Sequence, residues 1–145
     1  MYGRSFRHIY EFLLFDSAAI INNGSISKSK VCKLENQMIK DTKYHELIDA
    51  LFISIEEALD VCEVDIDYEG AGGILTLTML DHTKIILNKQ APLHQLWVAT
   101  KFNGHHFNYN DGVWIDERTG VEFFAFFDDA VSKQAGQPVK LNLQG

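Results

Sequence analysis

From Tyr44 to Cys62 the apolar residues Tyr44, Ile48, Leu51, Phe52, Ile55, Leu59 and Cys62 return every three or four positions, the spacing of one face of an amphipathic helix. Thr42 is the expected N-cap, and Asp41 and Glu46 suit the positive end of the helix dipole. At Val64 the pattern changes to alternation. Between Gly73 and Ile115, short alternating runs separated by turn residues predict an antiparallel meander. Its strands are Ile74 to Leu80, Lys84 to Asn88 after a turn at Asp81-His82, Leu93 to Thr100 after Pro92, His106 to Tyr109 after Gly104, and Val113 to Asp116 after Asn110-Asp111-Gly112. Helical spacing returns after Gly120, with Phe123, Phe126, Phe127, Ala130 and Val131 inward and Asp128, Asp129 and Lys133 outward, until Gly136 and Pro138 stop it.

One helix before the meander and one after it can cover the same sheet face, so the expected fold class is α+β, a two-layer α/β sandwich with two helices packed on one face of an antiparallel sheet. The strand period of two assigns the faces. Leu75, Leu77, Met79, Ile85, Leu87, Leu96 and Val98 turn one way; Thr76, Thr78, Lys84, Ile86, Asn88, Gln95 and Trp97 turn the other. Trp97 on a polar face is either an interface hot spot or a side chain covered by a loop or by the N-terminal segment.

With 145 residues, 46% of them hydrophobic and only two prolines, the chain suits a single domain with a real core. No run of about 18 apolar residues is present to make a spanning helix, so no membrane is expected. Cys32 and Cys62 have no CxxC spacing, which argues against a disulfide scaffold or thiolate zinc site and for a reducing, cytoplasmic location. The net charge is −7, but residues 1–37 carry five bases and three acids, leaving −9 on the remainder. Such a surface repels nucleic acid and suits cations and basic protein patches. Residues 1–37 also differ in texture: an apolar stretch from Phe6 to Ile21, then a Ser/Asn/Gly/Lys stretch from Asn22 to Ser29. Glu11 and Asp16 interrupt the apolar run and no clear cleavage site follows, so a signal sequence is disfavoured. The expected organisation is an N-terminal extension, 1–37, disordered or outside the native domain, and a domain at 38–145 with Met38 as its functional start.

The acids are concentrated. Glu46, Asp49, Glu56, Glu57, Asp60, Glu63, Asp65, Asp67 and Glu69 fall on the first helix and the start of the first strand, and no Lys or Arg occurs between Lys43 and Lys84. Glu56, Asp60 and Glu63 stand at i, i+4 and i+7, an expected ridge whose neighbours repel by a few tenths of a kcal/mol per pair. The plainer reading is a solvated helix face. The missing compensation favours instead a row that holds a hard cation such as iron through few protein ligands plus water, hence weakly. No EF-hand loop or H-E-x-x-H helix supplies a cage. Of the histidines, His45 is the best candidate ligand, close to Glu46 and Asp49; His82, His94, His105 and His106 are scattered. Cys62 has no basic neighbour to activate it. Hydrolase triads, P-loops and Rossmann fingerprints are missing, so enzymatic activity is not expected.

Ile55-Glu56-Glu57-Ala58-Leu59-Asp60, Asp65-Ile66-Asp67 and Gly72-Gly73-Ile74-Leu75-Thr76-Leu77 resemble the opening of the frataxin family. Lys84 to Ala99, with Asn88-Lys89-Gln90-Ala91-Pro92-Leu93-His94-Gln95-Leu96-Trp97, resembles its central signature in the bacterial, CyaY-type form. Gly104-His105-His106-Phe107, Trp114, Asp116-Glu117-Arg118-Thr119-Gly120 and Gln134-Ala135-Gly136 extend the likeness from Met38 to about Gln137. The resemblance implies a role in iron–sulfur cluster assembly, with weakly bound iron (Fe²⁺ or Fe³⁺) at Glu56, Glu57, Asp60, Glu63, Asp65, Asp67 and Glu69, joined by His45 and Asp49. It implies as partners the cysteine desulfurase, met by Glu57, Asp60 and Glu63, and the assembly scaffold, with Asn88, Gln95 and Trp97 serving partner contacts. The expected protein is a monomer that regulates the desulfurase, donates iron, or does both. The alternatives are an acidic docking module with incidental metal and an iron store that oligomerises and oxidises Fe²⁺. Val61 and Cys62 depart from the bacterial pattern, and the helix-to-strand connection is short, which implies a reduced iron capacity.

Overall fold

The structure, a computed structural model, describes residues 27–143. Helix α1 (Lys28–Asp60) is followed by strands β1 (Asp67–Ala71), β2 (Ile74–Thr78) and β3 (Lys84–Gln90), a 3-10 turn (Ala91–Leu93), β4 (Gln95–Ala99), β5 (Gly104–Asn110), β6 (Val113–Asp116) and helix α2 (Phe123–Ala135). Each strand pairs antiparallel with the next, giving a six-stranded sheet in the order β1 to β6. Two hairpins close through central residues of positive φ, Gly72 (+60°) with Gly73 (+80°) and Asp111 (+47°) with Gly112 (+93°). That backbone matches the twist of the flanking strands, and glycine adopts it without steric cost.

The two-layer arrangement follows from the periodicities. Tyr44, Ile48, Leu51, Phe52, Ile55 and Leu59 of α1 and Phe123, Phe127 and Val131 of α2 share one buried cluster with Leu75, Leu77, Ile85, Leu87, Leu96, Val98 and Phe107 of the sheet and with Met79 just past β2. Glu122 caps α2, its side chain accepting from the Phe124 N–H (3.2 Å), and Gly136 ends the helix at φ +72°. Beyond it Val139 and Leu141 are buried, the Val139 N–H donating to Ser132 Oγ and the Leu141 N–H to Asp128 Oδ1.

Several boundaries differ from those expected. Helix α1 begins at Lys28 rather than near Tyr44, and Thr42 is an interior residue, not a cap. The stretch Lys28–Lys43 has no Gly or Pro, and nine of its sixteen residues, five of them Lys, are of the good helix formers Lys, Leu, Glu, Gln and Met. None of its described side chains is buried, and Leu34 is 62% exposed, so periodicity passes over it. Residues up to Lys40 separate from those starting at Asp41; of the first unit, residues 28–40 are helical. The Phe6 to Ile21 stretch lies outside the described residues. Helix α1 stops at Asp60, not Cys62, and the Cys62 N–H closes the last turn on the Leu59 carbonyl. Strand β1 starts at Asp67 instead of Val64, and Leu93 belongs to the 3-10 turn, which ends at His94 with φ +51°.

Candidate functional site

The second half of α1 lies along β1. The Tyr68 hydroxyl donates to Asp60 Oδ1 at 2.7 Å, and a Cβ added to Gly70 would stand 3.0 Å from Glu56 Oε1, so the Glu56 carboxylate occupies space that this strand residue leaves empty. The hydrogen bond to Asp60 is the main cause holding the Tyr68 phenol above its ordinary pKa, with burial and the charges of Asp60 and Glu56 adding to it. Tyr68 and Gly70 pair with Leu77 and Leu75 and turn toward the helices. Asp67 and Glu69 pair with Thr78 and Thr76 and turn to the open face. The strand acids Asp67 and Glu69 therefore lie on the other face of the sheet edge from the helix acids Glu56 and Asp60. Glu63 is not the third member of a helical row, because the helix has already ended.

Glu57, Asp60, Glu63, Asp65, Asp67 and Glu69 are exposed and Glu56 is half-buried. Among the described residues none of these seven has a lysine, arginine or histidine within ion-pair distance. Nor do three His, Cys, Asp or Glu side chains converge as a metal cage among the described residues. This row can attract and share a hydrated cation; it does not enclose one. Asp49 stands apart from it, since the Lys89 ammonium pairs with its carboxylate and lies 6.0 Å from the Phe52 ring centroid. Forty positions of sequence separate that pair, which hid the compensation. His45 is exposed in the body of α1 rather than in a first turn, with its ring edge-on to Tyr44 at 5.2 Å.

On the open face Trp97 is half-buried, flanked across the strands by Asn88 and His106. Its indole Nε1 lies 3.4 Å from where a Cβ of Gly104 would be, so the ring rests on that glycine. Gln95 Nε2 donates to Asn108 Oδ1 (3.0 Å) and Glu117 Oε2 (3.4 Å), and the Gln95 carbonyl accepts from the Tyr44 hydroxyl at 2.8 Å. Burial pushes the Tyr44 phenol up to about 12.

One polar centre went unread. Asp116, 2% exposed, accepts from His105 Nδ1 (2.8 Å), Thr119 Oγ1 (2.7 Å) and the Arg118 N–H (3.1 Å). Burial alone would raise its pKa, but these bonds together outweigh it and hold the carboxyl below its ordinary value of 3.8. The readable signal was Asp116-Glu117-Arg118-Thr119-Gly120, an aspartate positioned to bind the backbone two residues on. The centre ties β5 and β6 to the entry of α2, where the His105 ring lies 4.4 Å from that of Phe126, tilted by 51°.

No helix among the described residues is long and apolar enough to cross a membrane. The model of the frataxin-like domain matches residues 37–137. The chain is 67% identical over 101 residues to the iron–sulfur cluster assembly protein CyaY of Pseudoalteromonas atlantica, covering 70% of this chain and 94% of that one. It is 53% identical over 106 residues to the protein of that name from Colwellia psychrerythraea, covering 73% and 100%. Among solved structures, frataxin from Psychromonas ingrahamii superposes with a TM-score of 0.66 at 45% identity, over 70% of this chain and 97% of that one. Trimeric frataxin from Saccharomyces cerevisiae, complexed with ferrous iron, gives 0.54 at 26% identity, over 65% and 86%.

Proposed function

The chain belongs to the frataxin family, and from that premise we propose that it acts in iron–sulfur cluster assembly as a non-enzymatic, weakly iron-binding regulator of the cysteine desulfurase or donor of iron to the scaffold. The observation that carries this reading is the set of seven carboxylates along the α1–β1 edge with no cation within ion-pair distance among the described residues. Like charges held together without cations repel, and Fe²⁺ or a basic protein surface relieves that repulsion. Because the ligands are exposed and lie in a row, iron exchanges readily, as a donor or sensor requires. Glu57, Asp60 and Glu63 steer the desulfurase, while Asn88, Gln95 and Trp97 offer a separate contact on the open face.

The test has two parts. Titration with Fe²⁺ or Mn²⁺ should broaden amide signals around Glu56, Glu57, Asp60, Glu63, Asp65, Asp67 and Glu69; broadening centred on His105 and His106 would overturn the assignment. Cluster synthesis by desulfurase and scaffold at fixed iron levels then separates the two roles. A regulator changes the rate at saturating iron, and a donor changes it only when iron is limiting. A second reading, an iron store, is favoured by one observation, the trimeric, iron-complexed yeast relative; sedimentation with and without Fe²⁺ tests it.

A further inference from the structure

The two edges of the sheet are finished differently. At β6 the chain returns to cover part of the edge, with Glu122 bridged to Ile115 and the Asp116 N–H donating to the Val121 carbonyl at 2.9 Å. At β1 no segment among the described residues pairs with the outer side. The Gly72-Gly73 turn determines which groups that side presents. In a two-residue hairpin the flanking residues, here Ala71 and Ile74, exchange hydrogen bonds, and bonded pairs alternate from there. Asp67, Glu69 and Ala71 therefore bond to β2, and the N–H and C=O groups of Tyr68 and Gly70 point outward. The Tyr68 N–H agrees with this, since its acceptor is the neighbouring Asp67 Oδ1 at 3.1 Å, an exposed contact that an incoming carbonyl can replace.

We propose that β1 is a docking edge for a basic, extended segment of a partner protein, which joins the sheet as an added strand. Successive side chains of such a strand alternate between the two faces. On the open face they meet Asp67 and Glu69; on the helix face they meet Glu56 and Asp60, over a position where Gly70 offers no side chain to obstruct them. Lysine or arginine at every second position thus finds carboxylates whichever face it takes. A second copy of this chain would bring the same acids against their like, so self-pairing is disfavoured and the edge selects by charge. The proposal rests on the acidic edge as a binding surface and adds main-chain pairing to it.

The test uses the full chain and two probes, a short peptide alternating lysine with valine and the same peptide N-methylated throughout its central residues. The charges are equal, but the second cannot donate main-chain hydrogen bonds. Strand addition predicts at least about tenfold weaker binding of the methylated peptide, together with slowed amide exchange at Tyr68 and Gly70 under the first peptide only. The Asp67→Lys, Glu69→Lys variant should lose binding of the first peptide. Equal affinity for both peptides with unprotected Gly70 would overturn strand addition while leaving the carboxylate row intact as an electrostatic surface. Failure of both peptides to bind, together with absent metal broadening, would overturn the acidic edge itself.

Discussion

At the β6 edge Asp116 is withdrawn from water and receives His105, Thr119 and the Arg118 amide, whereas at the β1 edge six exposed carboxylates and the half-buried Glu56 have no cation within ion-pair reach among the described residues. The same functional group does opposite work in the two places. A buried carboxylate survives only when donors replace the water it has lost, and once they do it becomes a structural tie. An exposed one costs a few tenths of a kcal/mol in repulsion, little enough for a fold to carry several without partners. The contrast separates an acid tied into the fold from acids that carry no such tie.

Removing the tie should have the largest effect. Asp116→Ala leaves the His105 and Arg118 donors facing a void, and the expected loss is about 3 kcal/mol of unfolding free energy, read from the denaturant midpoint at unchanged slope. A loss no greater than that of Glu57→Ala would erase the distinction between the two edges.

Acid should reproduce part of that loss. Asp116 has a folded-state pKa below its ordinary 3.8, so its stabilisation is present above the unfolded value and disappears as pH falls through the folded one. Stability measured below about pH 4 should decline more steeply in the wild type than in Asp116→Asn, which has no proton to bind there. Parallel curves would show that the carboxylate's hydrogen bonds contribute nothing net.

Residues of this kind also mark how far the sequence could be read. Whatever depends on period was legible: the inward face from Tyr44 to Leu59, the alternation of Leu75 and Leu77 with Thr76 and Thr78, and the aromatic stripe of α2. The uncompensated run from Glu56 to Glu69 was legible too, because absence of Lys and Arg is local information. What pairs across the fold was not. Asp49 looks like its neighbours until β3 brings Lys89 to it, and Gln134 looks like any polar helix residue until it links the Lys101 amide to Thr83 Oγ1 from a 3% exposed position. Division of the acids between two faces required knowing that α1 ends at Asp60 and β1 starts at Asp67.

The acidic edge should respond to ligands in the reverse sense. A divalent ion specific to the native row adds about 1.4 kcal/mol at ten times its Kd, seen as a rise in melting temperature with Mn²⁺. The rise should persist in Asp116→Ala, which touches none of the ligands, and disappear in Glu57→Lys, Glu63→Lys. Without metal that double variant should be more stable than wild type by a few tenths of a kcal/mol per relieved pair. Asp60→Lys is a poorer probe, because it also removes the acceptor of the Tyr68 hydroxyl.

Salt should give the smallest effect and the cleanest separation. Raising ionic strength from about 0.1 M to 1 M shortens the screening length from about 10 Å to 3 Å, which weakens repulsion among exposed carboxylates but hardly reaches a buried one hydrogen-bonded at 2.7–2.8 Å. Sodium chloride, chosen because its ions neither ligate strongly nor salt out, should therefore raise the wild-type melting temperature by about 2 °C, the equivalent of a few tenths of a kcal/mol in a domain of this size. Asp116→Ala, although far less stable, should show the same salt increment, since the row it leaves untouched is the source. The Glu57→Lys, Glu63→Lys variant should show a smaller one, because part of the repulsion has already been replaced by attraction. An increment that followed overall stability across these three proteins, rather than the charge of the β1 edge, would mean that the salt acts on general hydration and that the unpaired carboxylates store no recoverable energy.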